Sequence, residues 1–197
     1  MSGRSFISFG DVSGSKSASS SKKSASSQTK SSSSTTMTPV YTGDHPQLRL
    51  ATKKVLKKDP TTRKKGLSEL NEILSANDDI QDTISLLPHF CYIFEQLWQD
   101  SSHSVRESVH IILNTIIQNL QNSENSNHKQ ALQPYMHLLI GPWWLACSDL
   151  SREAATAATN AFNKAIPGPK RQQKVLFYLA PCIIRYIHRI FQLTPQL

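Results

Sequence analysis

Three times along the chain an Asp stands shortly before a basic residue at the start of an amphipathic stretch. The three are Asp59-Pro-Thr-Thr-Arg63, Asp100-Ser-Ser-His-Ser-Val-Arg106 and Asp149-Leu-Ser-Arg152, with acids 41 and 49 residues apart. Recurrence at that spacing predicts helix pairs stacked into a HEAT- or armadillo-like solenoid. A chain of this kind presents faces and grooves to partners, so the pattern points to binding before catalysis. In such a repeat the Asp of each turn caps the second helix. The Arg near that helix start reaches an Asp of the adjacent repeat, and Asp100 with Arg106 fits this best. Asp59, Asp100, Arg106, Asp149 and Arg152 are therefore read as structural, each cap contributing about 1 kcal/mol.

Hydrophobic periodicity predicts about seven helices over residues 46–192. The first spans 46–57, with Leu48, Leu50, Val55 and Leu56 as its apolar contacts. Asp59 and Pro60 begin the second, along which Leu67, Leu70, Ile73 and Leu74 recur at helical spacing. The third covers 79–98, with a kink or break expected at Pro88. The fourth, 103–120, has the clearest stripe: Val105, Val109, Ile112, Leu113, Ile116, Ile117 and Leu120. Residues 119–129 are expected as a loop. The segment 130–147 reads as a helix interrupted at Gly141-Pro142, directly before Trp143-Trp144. Those adjacent indoles point about 100° apart on a helix, so both cannot fill one pocket; one is read as core and the other as core or open to a partner, with packing between repeats the expected role of both. An alanine-rich helix over 151–165, capped by Ser151, ends at Pro167-Gly168-Pro169. A last helix over 170–192 carries Val175, Leu176, Leu179, Ile183, Ile187 and Ile190, with a kink at Pro181.

Residues 1–45 are expected to lie outside this domain as a disordered tail. From Ser13 to Thr36, 16 of 24 residues are Ser or Thr, too little apolar surface to offset the cost of ordering the backbone. Ahead of that tract, Ser5-Phe-Ile-Ser-Phe-Gly-Asp11 is an apolar island, which reads as a short docking motif or as an incidental patch.

The net charge of +8 is concentrated at 49–65, where eight Lys and Arg face a single acid, Asp59. Such a field suits RNA, phosphate or an acidic protein, and it is also what an ordinary solvated helix face looks like. Cys91, Cys147 and Cys182 lie far apart within apolar runs, without a Cys/His ligand spacing, and are read as buried free thiols of a cytosolic chain, with no metal or other cofactor. No apolar run reaches membrane length. The seven His residues form no i, i+4 ligand pair, and no phosphate-binding glycine loop is present, so no catalytic residue is assigned.

The stretches Phe6-Ile-Ser-Phe-Gly10, Leu56-Lys-Lys-Asp-Pro-Thr-Thr-Arg-Lys-Lys-Gly-Leu67, Leu97-Trp-Gln-Asp100, Gly141-Pro-Trp143 and Ala161-Phe-Asn-Lys-Ala-Ile-Pro167, in this order, resemble the N-terminal region of the listerin family of RING-type E3 ubiquitin ligases. The resemblance covers about 5–11 and 46–192. It implies a HEAT-like domain that engages RNA and protein of the large ribosomal subunit beside a nascent-chain-sensing partner, in ribosome-associated quality control. It also implies a fragment, since family members are far longer and carry a zinc-binding C-terminal RING whose cysteines this chain lacks. The serine tract is long for the family.

On that basis Phe6, Ile7, Phe9, Gly10, Lys57, Lys58, Arg63, Lys64 and Lys65 are the candidate partner contacts of a monomer that binds neither membrane nor DNA. The alternative is a generic HEAT adaptor or scaffold that takes acidic peptides.

Overall fold

In the computed structural model the described residues are 41, 43–76 and 79–193. Among them the secondary structure is helical throughout: α1 (Pro46–Val55), α2 (Pro60–Ala76), α3 (Ile80–Leu97), α4 (His103–Asn122), α5 (Ser126–Gln130), a 3-10 turn (Gln133–Tyr135), α6 (Met136–Ala146), α7 (Arg152–Ala165) and α8 (Pro169–Leu193). The helices stack in two layers. One is α2, α4 and α7 side by side; the other is α3, α6 and α8, while α1 packs on α2. This is the helical-repeat solenoid that the Asp spacing predicts.

Each start follows from local chemistry. His45 caps α1, its Nδ1 accepting from Leu48 N–H at 3.3 Å. Asp59 Oδ2 accepts from Thr62 N–H at 2.7 Å at the start of α2, and Asp79 Oδ1 accepts from Gln81 N–H at 2.9 Å at α3. Ser151 caps α7 through Ala154 N–H and donates to Glu153 at 2.8 Å. Residues 1–40, with the serine tract and the Phe6–Gly10 island, lie outside the described residues, as do Asn77 and Asp78.

The core forms where the stripes meet. All seven stripe residues of α4 are at most 2% exposed, and Ile112 is fully buried between its neighbours. Two glycines let helices approach closely. A Cβ on Gly66 would sit 2.8 Å from Lys54 Cβ and from Val55 N, and one on Gly141 would sit 2.7 Å from Tyr186 Cβ. Gly66 thus sets the α1–α2 contact and Gly141 the α6–α8 contact.

Several expectations are corrected. In α1 the buried residues are Leu48, Ala51, Thr52 and Val55, whereas Leu50 is 60% exposed and Leu56 40%. Only one side of α1 meets α2, and the lysines turn the remainder to solvent. The interruption expected at Gly141-Pro142 is absent, since α6 runs unbroken past Pro142, and α3 and α8 likewise continue through Pro88 and Pro181 without splitting. Burial of Leu139, Ile140, Trp143 and Ala146 along α6 offsets the roughly 3 kcal/mol that an interior proline costs. Within the expected loop lies α5, a single polar turn capped by Asn125 and burying nothing. Tyr41, assigned to the tail, is 2% exposed and belongs to the core. Its hydroxyl accepts from Ser85 Oγ at 3.5 Å.

Trp143 is fully buried, donating to the carbonyl of Ala158 at 3.0 Å, while Trp144 is 41% exposed. Both rings lean on Phe162. Helix α8 is apolar on more than its inner side: Val175 and Leu179 face the core, and Phe177, Ile184 and Phe191 are exposed.

His110 is an exception within the α4 stripe. It is fully buried, edge-on to Phe94, and neither ring nitrogen has a hydrogen-bond partner. Burial lowers its pKa to about 4, against a small opposing pull from Asp149.

Two outcomes follow from this packing. Ile112→Ala is expected to cost about 2–5 kcal/mol, read as a lower urea midpoint; a midpoint near wild type would place that face at the surface. The depressed pKa of His110 means that the unfolded chain binds its proton first. Stability from this group is therefore full above pH 6.5 and declines as pH falls towards 4. Urea titrations across that window should show the decline, and His110→Phe should flatten it.

Candidate interaction surface

The polar turns at the starts of α2, α4 and α7 lie along one end of the layer. They are joined by a ladder of guanidinium–carboxylate forks. Arg63, the fourth residue of α2, reaches Asp100 in the turn before α4, with Nε 2.7 Å from Oδ2 and Nη2 donating to Oδ1 at 2.9 Å. Arg106, the fourth residue of α4, reaches Asp149 before α7, with Nε donating at 2.7 Å and Nη2 at 2.9 Å. Each Asp also ties its own turn: Asp100 Oδ1 accepts from Ser102 N–H at 2.9 Å, and Asp149 Oδ1 from Ser151 N–H at 2.7 Å. Arg106 contacts Asp100 itself only through the backbone carbonyl, at 2.7 Å.

Each Arg therefore serves the acid of the following repeat. The position equivalent to Arg63 and Arg106 in α7 is Ala155, whereas Arg152 opens that helix, is exposed and forms no rung. Grouping Arg152 with the other two is corrected accordingly. The Arg106 fork holds the Asp149 carboxyl below its ordinary range, and Asp149 in turn raises the guanidinium. A second, uncharged ladder runs at the other end of the same helices. Asn119 Nδ2 donates to the carbonyl of Leu74 at 2.8 Å, and Gln121 Nε2 to that of Lys164 at 2.9 Å.

The basic cluster sits at the free edge of this frame, on and beside the α1–α2 turn. Lys57, Lys58, Lys64 and Lys65 are exposed and form no ion pair among the described residues. Lys54 is paired with Glu69 at 2.7 Å, and Arg63 is spent in the ladder with 13% of its side chain exposed. The cluster is thus smaller than the sequence suggests, and Arg63 is not a surface cation. Phe6, Ile7, Phe9 and Gly10 lie outside the described residues.

Among the described residues no group of three His, Cys, Asp or Glu could hold a metal ion. Cys91 is buried and its thiol is pushed up to about 12, which suppresses the thiolate. No helix among the described residues is long and apolar enough to cross a membrane.

Stacked helix pairs joined by Arg–Asp forks define a HEAT/armadillo-like helical-repeat protein. The family model of the E3 ubiquitin-protein ligase listerin N-terminal domain matches residues 43–197, and the chain belongs to that family. It is similar to listerin from Drosophila melanogaster, at 29% identity over 73% of this chain and 8% of that protein. The mouse listerin is 30% identical over 66% of this chain and 7% of its own length, and the Caenorhabditis elegans one 28% over 68% and 8%. The chain therefore spans less than a tenth of the relatives it matches. No solved structure matches it.

The Arg106–Asp149 fork is largely enclosed, at 16% and 9% side-chain exposure, so removing one partner strands the other. Asp149→Asn is expected to cost about 1–3 kcal/mol. A double-mutant cycle with Arg106→Gln should return a coupling of about 0.5–3 kcal/mol, and a value near zero would show the rung to be ornamental.

Proposed function

We propose that this chain is the N-terminal, ribosome-docking part of a listerin-type E3 ubiquitin ligase. It would hold the ligase on the large subunit of stalled ribosomes, beside a nascent-chain-sensing partner, in the cytosol. The observation that carries the reading is the set of four exposed lysines, Lys57, Lys58, Lys64 and Lys65, gathered at one turn with no acid paired to any of them. An unpaired cationic edge on a rigid frame suits the phosphates of ribosomal RNA, because each ammonium set against a phosphate releases a condensed counterion. Family membership supports the same reading. The island at Phe6–Gly10 would add apolar contact that salt does not screen. In this role the chain positions a ligase and performs no chemistry itself.

Co-sedimentation with purified large ribosomal subunits tests the proposal. Affinity should fall by about 0.9 log units per log unit of salt for each phosphate neutralised, so by roughly 3 to 4 if all four lysines engage. Changing the four to Glu is expected to abolish sedimentation while leaving helix content unchanged. If that variant sediments as wild type does, the lysines are only a solvated face. Binding to acidic peptides but not to subunits would favour the generic adaptor.

A further inference from the structure

Arg63 stands in sequence among the lysines yet is used differently. Its Nη1 donates to the carbonyl of Lys57 at 3.1 Å and to that of Lys58 at 2.5 Å. The same guanidinium is held from the other side by Asp100, whose side chain is only 6% exposed and belongs to the next repeat. Carbonyls in a turn between two helices have no ladder partner in either, and here one guanidinium nitrogen gathers two of them. The other bonds around that turn are short and local: Lys57 N–H to the carbonyl of Lys54 at 3.1 Å, and the cap made by Asp59. The turn carrying the lysines is therefore fixed by a residue that is itself fixed from 37 positions away.

The second rung repeats the device without a basic surface. Arg106 holds the carbonyl of Asp100, in a turn of Ser101 and Ser102 that contains no cation. Only the first rung places a fork beneath exposed lysines.

We infer that Arg63 and Asp100 are positioning residues for the basic edge. Together they set the backbone of Lys57 and Lys58 so that the ammonium groups form a fixed array for a phosphate backbone. The inference rests on the docking reading above and adds a regulator of it: the edge is competent only while the first and second repeats are locked together. Pre-setting the array lowers the ordering cost on binding.

The sign of one substitution separates this from a simple charge patch. Asp100→Asn removes a negative charge near the cluster, so a charge patch would bind a polyanion more tightly. A positioned array would bind more weakly. With large subunits as the probe, sedimentation between about 50 and 200 mM salt should show weaker binding. The log–log salt slope should be shallower by about 1 or more, because lysines still present no longer all engage. Backbone amides at 57–61 should exchange faster in the same variant.

Asp149→Asn makes the same charge change one rung further on, under a turn without lysines, and is expected to bind as tightly as wild type or more so. Arg63→Lys keeps the charge and loses the fork. It is expected to weaken binding as Asp100→Asn does, and its circular dichroism shows whether the fold is intact should Asp100→Asn fail to fold. Equal binding by Asp100→Asn and Asp149→Asn, or unchanged amide exchange, overturns the inference. Lysine reversal that leaves sedimentation intact overturns the docking reading as well. Reversal that abolishes it, while Asp100→Asn and Arg63→Lys bind as wild type, overturns the positioning role alone.

Discussion

Burial of α4 from several sides is the constraint from which the rest follows. The helix lies between α2 and α7 and also touches α3 and α5, so its apolar surface wraps well beyond a single stripe. Each fully buried Val, Leu or Ile contributes about 1.5–3 kcal/mol, and α4 supplies seven. A partly enclosed ion pair nets far less, because stripping water from two charges consumes most of their attraction. Packing therefore decides that α2, α4 and α7 lie side by side. The forks decide the register in which they do so, since Arg63 and Arg106 meet an acid only if each helix start is level with the next turn. Asn119 and Gln121 fix the same register at the opposite end, where a slip of one turn would leave both amides and two carbonyls unmatched.

Much of this was legible in the sequence, because α4 carries a full stripe and the acids recur at a regular distance. Where the reading failed, a tertiary neighbour had outweighed a local signal. Leu50 and Leu56 look like core residues from composition, but among the described residues α1 packs chiefly on α2, and its far side is exposed. Gly141-Pro142 reads as a break, yet Tyr186 occupies the space a side chain at 141 would fill, and the flanking apolar residues keep α6 whole. Tyr41 follows a serine-rich tract and packs into the core all the same. The two apolar faces of α8 merge in a one-dimensional pattern, which hides that Phe177, Ile184 and Phe191 point away from the core.

The candidate surface was legible as a charge run and no further. A run of cations does not reveal which of them is already spent, because the answer lies in acids far off in the chain. Arg63 is neutralised by Asp100, 37 residues away, and Lys54 by Glu69, 15 away. An arginine was the residue drawn inside, in keeping with its planar fork, which satisfies two carbonyls and a carboxylate at once. An ammonium lacks that geometry, and the neighbouring lysines remain outside.

The ladder also has a direction. Each rung runs from the start of one helix of the layer to the turn before the next, and at the corresponding place in α7 stands Ala155. The joint between α7 and α8 is instead neutral: Gln172 Nε2 donates to the carbonyl of Ile166 at 3.0 Å and to Asn163 Oδ1 at 2.8 Å. In the other layer, Trp98 Nε1 donates to the hydroxyl of Tyr186 at 2.6 Å, while the Tyr186 ring lies under the Arg189 guanidinium. Amides and aromatic contacts of this kind depend little on ionic strength, the enclosed forks are screened weakly, and the exposed lysines and the Arg189–Glu95 pair are screened most. Salt sensitivity is thereby concentrated at the exposed lysines and at the Arg189–Glu95 pair of α8 and α3, while the α7–α8 joint itself stays neutral.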